Sequence, residues 1–249
     1  MILALYAFAA EMRPMRQRIA DVVSLHDGLR GIQGRVGNAG FTMIATGIGL
    51  KRARAAAQLA FDRVSGIDLA IATGVAGALS PRLGVSHMVI ADHLMVRSED
   101  HAPAEYVLEI APQWVSALEK ALDASGIGCS TGGILTVSRA LASSVDKLAA
   151  GDSSGALAVD MESAAIALEA SQRGIPFACA RAILDTVDHE LVGAELANED
   201  GRVRPGAAVK ALLRDPAMVV SALRLRRNLK RSTEVLARAL EAIVRNFPE

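Results

Sequence analysis

Residues 157–185 read LAVDMESAAIALEASQRGIPFACARAILD and contain the most informative pattern in the chain. The apolar runs at 157–159 and 177–183 predict two strands, and the Ala-rich run at 161–173 between them predicts a helix. Residues 173–176, RGIP, are typical of a helix that ends just before a strand. A strand, a helix and a second strand in succession indicate an α/β fold.

The same alternation runs along most of the chain. Strands are predicted at residues 2–8, 32–37, 41–46, 68–73, 87–91, 131–137, 157–159 and 177–183, and helices at 11–24, 50–65, 112–125, 144–150, 161–173 and most of 205–246. Short apolar strands between Ala-rich helices are typical of a mostly parallel sheet that helices cover on both faces.

The composition is that of a chain with one large core. Of the 249 residues, 51% are hydrophobic but only 3% are aromatic, which indicates tight packing of Ala, Val, Leu and Ile between helices and a sheet. Lysine and arginine number 27, as do aspartate and glutamate, and this balance argues against nucleic acid as a partner. The two cysteines and five histidines show neither a disulfide framework nor metal-ligand spacing, so we expect no bound metal.

The N-terminus predicts a strand rather than a secretory signal. Residues 1–10 are apolar, but they lack the basic segment with which such a signal begins. No run in the chain reaches the ~18 apolar residues that a membrane-spanning helix needs. We therefore expect a cytoplasmic protein.

Two acids lie in apolar sequence. Glu162 belongs to the run MESAAIA, and Asp185 follows the strand predicted at 177–183. Because burying a carboxylate costs several kcal/mol unless it is paired or hydrogen-bonded, each of these acids needs a partner or a catalytic task. Both are candidate site residues.

Further candidates follow the ends of predicted strands. Glu11 comes after the first strand, and two glycine turns, TGIG at 46–49 and TGV at 73–75, come after the third and fourth. In an open parallel sheet the ligand crevice lies at the carboxyl ends of the strands, where glycine lets main-chain N–H groups approach a ligand. Each turn alone is equally typical of a tight connection between a strand and a helix.

Five motifs together resemble the nucleoside phosphorylase/nucleosidase superfamily, most closely its methylthioadenosine/S-adenosylhomocysteine nucleosidases and the hopanoid-associated phosphorylases. The motifs are AFAAE at 7–11, TGIG at 46–49, ATGVAG at 72–77, VDME at 159–162 and RAILD at 181–185. The resemblance spans residues 2–188 and implies a three-layer α/β/α sandwich around a central mixed, mostly parallel, partly closed sheet. It also implies a homodimer or larger homo-oligomer.

The resemblance assigns roles in cleaving the N-glycosidic bond of a purine nucleoside, with adenine favoured by the position of Asp185. Asp185 would protonate the purine at N7, and its apolar flank favours the protonated acid. Glu162 would accept the ribose 2′- and 3′-hydroxyls, with Met161 against the sugar and Asp160 in the same binding motif. The alternatives are a capping role for Asp185 and a first-turn helix acid for Glu162.

Glu11 would be the general base that takes a proton from an attacking water, although a lone Glu is also common in the first turn of a helix. The remaining substrate-binding residues that the resemblance implies, around the nucleophile, the sugar and the purine, are Thr46, Gly47, Ile48, Gly49, Thr73, Gly74, Val75, Ala142 and Ser143.

The nucleophile is either water or phosphate. Phosphorylases of this superfamily carry an arginine before the second glycine turn, where this chain has Ala72, and Val75 stands where a serine is common. Lys51, Arg52 and Arg54 could bind phosphate, but three bases on a helix are more typical of a solvated face. We expect hydrolysis without a cofactor and keep phosphorolysis, with inorganic phosphate as co-substrate, as the alternative.

Residues 205–249 are predicted to be a basic, helical extension of the catalytic domain at 1–204. They hold nine lysines and arginines against four acids, and apolar residues recur among them at near-helical spacing. We favour a helix that docks on its own sheet or on a neighbouring subunit. The alternative is peripheral contact with the anionic inner face of a membrane.

The basic extension and the low polarity of the chain favour a lipid-borne substrate. Hopanoid-associated phosphorylases release adenine from adenosylhopane, so adenosylhopane is the substrate hypothesis, with futalosine-type nucleosides open. A catalytically silent nucleoside-binding protein is the competing hypothesis, and it would tolerate Asp185→Asn. A nucleic-acid-binding regulator is disfavoured because the net charge is zero.

Overall fold

The computed structural model describes residues 1–97, 104–190 and 216–247. Its strands are β1 (Ile2–Tyr6), β2 (Ala20–Ser24), β3 (Gly31–Val36), β4 (Ala39–Ala45), β5 (Leu69–Ala78), β6 (Met88–Arg97), β7 (Glu105–Glu109), β8 (Cys129–Val137), β9 (Ala158–Asp160) and β10 (Phe177–Asp185). Its helices are α1 (Arg13–Arg16), α2 (Leu50–Arg63), α3 (Pro112–Ala124), α4 (Ser144–Ser154), α5 (Ser163–Gln172) and α6 (Pro216–Arg245).

One ten-stranded mixed sheet runs in the order β10-β6-β8-β9-β5-β1-β4-β3-β2, with β7 beside β6. Its middle is parallel, because β1 pairs in parallel with both β4 and β5, and β5 pairs in parallel with β10. Antiparallel pairs extend it at β2–β3–β4 and at β6–β7, and two more, β5–β9 and β6–β10, lie within it. All five residues of β1 are buried, as expected of a strand that helices cover on both faces.

The sheet closes on itself over half of its strands. β10 pairs with β5 as well as with β6, so β5, β10, β6, β8 and β9 form a closed ring. The predicted α/β fold with a central mixed, partly closed sheet is confirmed. Around it, α2 packs against α5, while α6 packs against β10, α1 and α3.

The end of β10 contains a bulge. Ile183 pairs with Ala76 and Asp185 pairs with Gly77, so Leu184 is an extra residue on the β10 side of the ladder. A bulge of this kind changes the direction of the side chains that follow it. Here it lies immediately before the candidate acid Asp185.

The eight predicted strands and five of the six predicted helices are present, with shifted ends. The helix predicted at 11–24 is wrong, since only α1 is helical there and β2 follows it. Asp21 has a left-handed backbone (φ 54°), which a continuous helix excludes, and the Val22–Val23 pair favours a strand that pairs with β3. Strand β7 was also not predicted.

Helix α6 is docked along only part of its length. Its second half is buried through residues such as Leu236 and Leu240, and the Ser232 hydroxyl donates to the carbonyl of Ile183 in β10 (2.6 Å). In its first half, the side chains from Val220 to Arg227 are exposed, except that of Ser221, which is half-buried. Residues 205–215 of the predicted helix lie outside the described residues. Within the described part of the chain, no helix is long and apolar enough to cross a bilayer.

Candidate active site

A cavity of about 170 Å³ lies where several strands of the ring end. The residues that line it come from the segments after β1 and β4, from the end of β8 and the segment after it, from the second half of β5, from β9 and its connection to α5, and from the end of β10. They are Ala7, Phe8, Glu11, Ile48, Val75, Ala76, Gly77, Val137, Ala140, Leu141, Val159, Asp160, Met161, Glu162, Leu184 and Asp185. Four carboxyl groups therefore lie in a cavity wall whose other side chains are apolar.

Glu11 is held by the backbone rather than by a helix. Its Oε2 accepts hydrogen bonds from the N–H groups of Ala7 (2.8 Å) and Phe8 (3.0 Å), and its Oε1 accepts one from Val75 (2.9 Å). The side chain is 1% exposed, and this burial raises the pKa of Glu11, against the opposite effect of Arg181 and the three N–H donors. Both oxygens of this carboxyl are thus fixed in place.

Gly74 permits this arrangement. Its φ of +136° is unfavourable for other residues, and a Cβ built there would lie 2.5 Å from Oε1 of Glu11 and 2.6 Å from Nη1 of Arg181. Gly74 therefore has a steric task in the second glycine turn, which is to leave room for the Glu11 carboxyl and the Arg181 guanidinium.

Arg181 is the residue that sequence reasoning overlooked. It is fully buried in β10, where Nη2 pairs with Oδ2 of Asp160 (2.8 Å) and lies 3.8 Å from Oε2 of Glu162. Nη1 donates to the carbonyl of Thr73 (3.0 Å), and Nη2 also donates to the Ser163 hydroxyl (2.9 Å). Burial alone would lower the pKa of this guanidinium, but the surrounding acids, Asp160 above all, raise it. A signal was present, because an arginine inside a buried strand needs a carboxylate partner.

Asp160 has a structural task in this cluster. Its Oδ1 accepts a hydrogen bond from the Thr136 hydroxyl (2.7 Å) and longer ones from the N–H groups of Glu162 and Ser163 (both 3.3 Å). Its Oδ2 faces Arg181. Asp160 therefore anchors the guanidinium and the start of α5 together.

Glu162 faces the first glycine turn. Its Oε1 accepts a hydrogen bond from the N–H of Gly49 (2.9 Å), which lies at the start of α2. Burial is the main cause that raises the pKa of Glu162 to about 8; Asp160 and Glu11 raise it further, and Arg181 and the Gly49 N–H oppose them. This carboxyl is therefore a site at which a proton can be held near neutral pH.

The acid cluster, defined as Glu11, Asp160 and Glu162, surrounds a single described guanidinium, that of Arg181. Three carboxylates and one cation would leave a buried net charge of −2, and protonation of Glu162 reduces it to −1. Buried charge of this sign is costly unless a cation or a partial positive charge compensates it. The cavity is thus suited to a ligand that becomes positive during reaction.

Asp185 lies at the other end of the cavity and is 4% exposed. Its Oδ2 accepts a charged hydrogen bond from Nζ of Lys147 (2.5 Å), a fully buried lysine of α4. Burial raises the pKa of Asp185 although Lys147 and His189 oppose the rise. No sequence pattern indicated a buried role for Lys147, because a lysine in an Ala-rich helix normally points to solvent.

The other predicted residues divide into three groups. Ile48, Val75, Met161 and the two glutamates line the cavity. A second group is absent from the lining of the cavity. The Thr46 hydroxyl donates to the carbonyls of Tyr6 (3.1 Å) and Gly47 (2.9 Å). Thr73 is buried, and its hydroxyl has no hydrogen-bond partner. Gly47 (φ +83°) completes this group.

Ala142 and Ser143 form the third group, since neither is among the lining residues. The Ser143 hydroxyl accepts a hydrogen bond from the N–H of Asp146 (3.0 Å) and so caps α4. The same segment lines the cavity slightly earlier, through Ala140 and Leu141. Among the described residues, no group of His, Cys, Asp and Glu is arranged to hold a metal ion.

The substitution Gly74→Ala should disrupt the site. The new Cβ would displace the Glu11 carboxyl and the Arg181 guanidinium, and the backbone would be strained, at a combined cost of about 1–3 kcal/mol or more. The measurement is the free energy of unfolding in urea. Gly84→Ala is the matched control, because Gly84 has open space around its Cβ position. Equal stability of the two variants would contradict the geometry described here.

The stability of the protein should fall as the pH rises from mildly acidic to mildly alkaline values. The pKa of Glu162 is raised from 4.5 to about 8, so the native state holds this proton more tightly than the unfolded chain. Stability from this group is therefore fully present below pH 4.5 and is lost as the pH rises through about 8. Melting temperatures across this range should decline less in Glu162→Gln than in the wild type. A decline of the same size in both would exclude Glu162 as a cause.

Solved structures of nucleoside-cleaving enzymes share this fold. Futalosine hydrolase of Helicobacter pylori strain 26695 has a TM-score of 0.76 and 18% identity, and the match covers 98% of this chain and 97% of that one. Helicobacter pylori 5′-methylthioadenosine/S-adenosylhomocysteine nucleosidase with butyl-thio-DADMe-Immucillin-A gives 0.75 and 19% over 98% and 97%. Streptococcus pyogenes S-adenosylhomocysteine nucleosidase with 5-methylthiotubericidin gives 0.74 and 22% over 100% and 97%.

At these identities the likeness establishes the architecture and leaves the substrate open. No curated protein matches the chain. A family model described as the phosphorylase superfamily matches residues 2–214, which is most of the chain. With the ring of strands and the acid-lined cavity at its end, this match shows that the chain belongs to the phosphorylase superfamily.

Proposed function

We propose that the chain cleaves the N-glycosidic bond of an adenine nucleoside by hydrolysis. The observation that carries the proposal is the convergence of Glu11, Glu162 and Asp185 on one buried cavity. Such cleavage needs an acid for the leaving purine, stabilisation of a ribosyl cation and a base for the nucleophile. The three carboxyls supply one group for each need.

Asp185 is the proposed acid. A neutral carboxyl donates its proton to N7 as the bond between C1′ and N9 breaks, and the electron pair of that bond stays on the purine. The raised pKa of Asp185 favours a carboxyl that still carries its proton when the substrate binds. The resulting carboxylate is then stabilised by Lys147.

The acid cluster is the proposed electrostatic partner of the ribosyl cation. Its excess of negative charge is uncompensated in the free protein and becomes favourable when the sugar turns positive, which is the condition for lowering a reaction barrier. Glu162 would accept hydrogen bonds from the ribose hydroxyls, and Glu11 would take a proton from the attacking water. Arg181 pairs with Asp160 and lies 3.8 Å from Glu162, while backbone N–H groups hold Glu11.

Water is the preferred nucleophile because the residue before the second glycine turn, Ala72, is fully buried and carries no charge. One observation favours phosphate as the second candidate. Arg30 and Arg52 flank Gly47, where a built Cβ would lie 3.3 Å from Nη2 of Arg30 and 3.1 Å from Cδ of Arg52. Arg54 is less suited to phosphate, since its Nε pairs with Glu169 (2.7 Å).

An apolar 5′-substituent, as in adenosylhopane, is the proposed variable part of the substrate. Apolar side chains form most of the cavity wall outside the carboxyls, including Phe8, Ile48, Val137 and Leu141. Such a wall binds an apolar group without leaving polar groups unpaired. Assembly into a dimer or larger homo-oligomer, which the resemblance implies, stays a prediction.

Adenine release tests the proposal. Purified protein should release adenine from at least one of methylthioadenosine, adenosine and an apolar 5′-alkyl adenosine, as measured by chromatography with and without phosphate. Asp185→Asn and Glu11→Gln should each lower kcat by about 10²–10⁴-fold while the protein still folds. Asp152→Asn, an exposed acid of α4, is the matched control.

The products decide between the candidates. Free sugar without phosphate identifies a nucleosidase, and sugar 1-phosphate that forms only with phosphate identifies a phosphorylase. Nucleoside binding without any adenine release would contradict the proposed enzyme activity and identify a catalytically silent nucleoside-binding protein. Efficient cleavage of methylthioadenosine with no cleavage of the 5′-alkyl nucleoside would exclude the lipid-borne substrate.

We further propose that the exposed half of α6 contacts anionic membranes. Val220 and Leu223 are 60% and 61% exposed, and Arg224 and Arg227 lie at the spacing that places all four on one face of the helix. Apolar side chains among arginines are suited to a headgroup surface, where each base contributes about 1 kcal/mol. The docked half of α6 would hold this face in place.

Vesicle sedimentation tests the membrane contact. Wild-type protein should bind vesicles rich in phosphatidylserine, and less so at high salt, while it leaves phosphatidylcholine vesicles unbound. The double substitution Arg224→Glu with Arg227→Glu should lower binding by about tenfold or more, since it reverses two charges. Arg238→Glu, exposed on the docked half, is the control. Equal loss in both variants would point to a general charge effect and contradict the proposal.

A further inference from the structure

Lys147 is an unusual residue for its position. It lies in the first turn of α4 and is fully buried, although a buried ammonium is costly and a cation near a helix N-terminus is disfavoured by the helix dipole. An exposed lysine would avoid both costs. The contacts of Lys147 must therefore compensate for them.

Its ammonium group contacts three oxygens. Nζ lies 2.5 Å from Oδ2 of Asp185, 2.6 Å from the carbonyl of His189 and 3.1 Å from the carbonyl of Thr186. An ammonium has three N–H donors, so these contacts account for all of them. Lys147 thus connects the side chain of the proposed acid to the backbone that follows β10.

We propose that Lys147 is a positioning residue for the acid Asp185: it fixes one carboxyl oxygen, leaves the other for the purine, and sets the pH range in which Asp185 is protonated. This inference rests on the proposed function. In this step the proton passes from Asp185 to N7 while the C1′–N9 bond breaks. Lys147 keeps its own protons and stabilises the carboxylate that forms, until solvent returns a proton to it.

Two opposing effects act on Asp185, and Lys147 supplies one of them. Burial favours the protonated carboxyl, whereas a cation at 2.5 Å favours the carboxylate. The net result is a raised pKa, so burial is the larger effect and Lys147 limits it. Burial therefore favours the protonated carboxyl that catalysis needs at the start, and Lys147 stabilises the carboxylate that is left once the proton has been donated.

Other charged groups surround Asp185. His189 lowers its pKa as Lys147 does. Asp188, Glu190 and Arg224 line a neighbouring cavity of about 510 Å³ that also reaches Asp185. On the opposite side, the acid cluster lines the same cavity as Asp185. Among these groups, Lys147 is the one in direct contact with the carboxyl oxygen.

The test compares Lys147→Met with the wild type and with Lys120→Met, which removes an exposed lysine of α3. The first readout is the pH dependence of kcat/KM for adenine release. The second is the affinity for a 9-deazaadenine C-nucleoside, whose N7 carries hydrogen and binds best to an ionised carboxyl. In Lys147→Met, both the high-pH limb of kcat/KM and the pH at which affinity rises should move upward by about one unit or more. The kcat value should fall by about tenfold, and Lys120→Met should match the wild type.

An unchanged pH dependence in Lys147→Met, with only a lower melting temperature, would overturn the inference and reduce Lys147 to a structural ion pair. If Lys147→Met does not fold, Lys147→Gln takes its place, because it removes the charge and keeps donors for the carbonyl groups. A wild-type protein that neither releases adenine nor binds the C-nucleoside would refute the proposed function itself. The two failures are therefore distinguishable.

Discussion

The ion pair between Arg181 and Asp160 is the interaction on which the rest of the site depends. The guanidinium lies inside the sheet, where its charge would be prohibitive without carboxylates around it. In return, it lets Glu11 and Glu162 stay buried beside each other. The same pair joins β10 to the start of α5. The interaction that positions the candidate catalytic residues therefore also holds two elements of the fold together.

The closed ring of strands explains why these residues meet. Because β10 pairs with both β5 and β6, the ends of the strands surround a small volume instead of lying along an open edge. Residues from distant parts of the chain, such as Glu11 and Asp185, reach this volume from different strand ends. A flat sheet of the same strands would spread them apart.

Local patterns predicted most strands and helices, and the general place of the site at strand ends. They failed where contacts between distant parts of the chain determine the local structure. Residues 20–24 become a strand because β3 offers a pairing edge, and Glu11 is fixed by N–H groups rather than by a helix. Lys147 could not be recognised from the sequence, since its burial depends on where Asp185 lies. Arg181 could have been recognised, because it is a charged residue within an apolar strand.

The bulge at Leu184 means that the direction of the acid is encoded by the number of backbone residues in β10 rather than by the identity of a neighbouring side chain. Side chains alternate between the two faces of a strand, so loss of a single residue there would turn the carboxyl of Asp185 away from the cavity and from Lys147. A substitution at Leu184 would alter one apolar part of the cavity wall but would leave the acid pointing into the cavity. A deletion or insertion of one residue at this place would instead reverse the direction of the acid, whatever the identity of the residues around it.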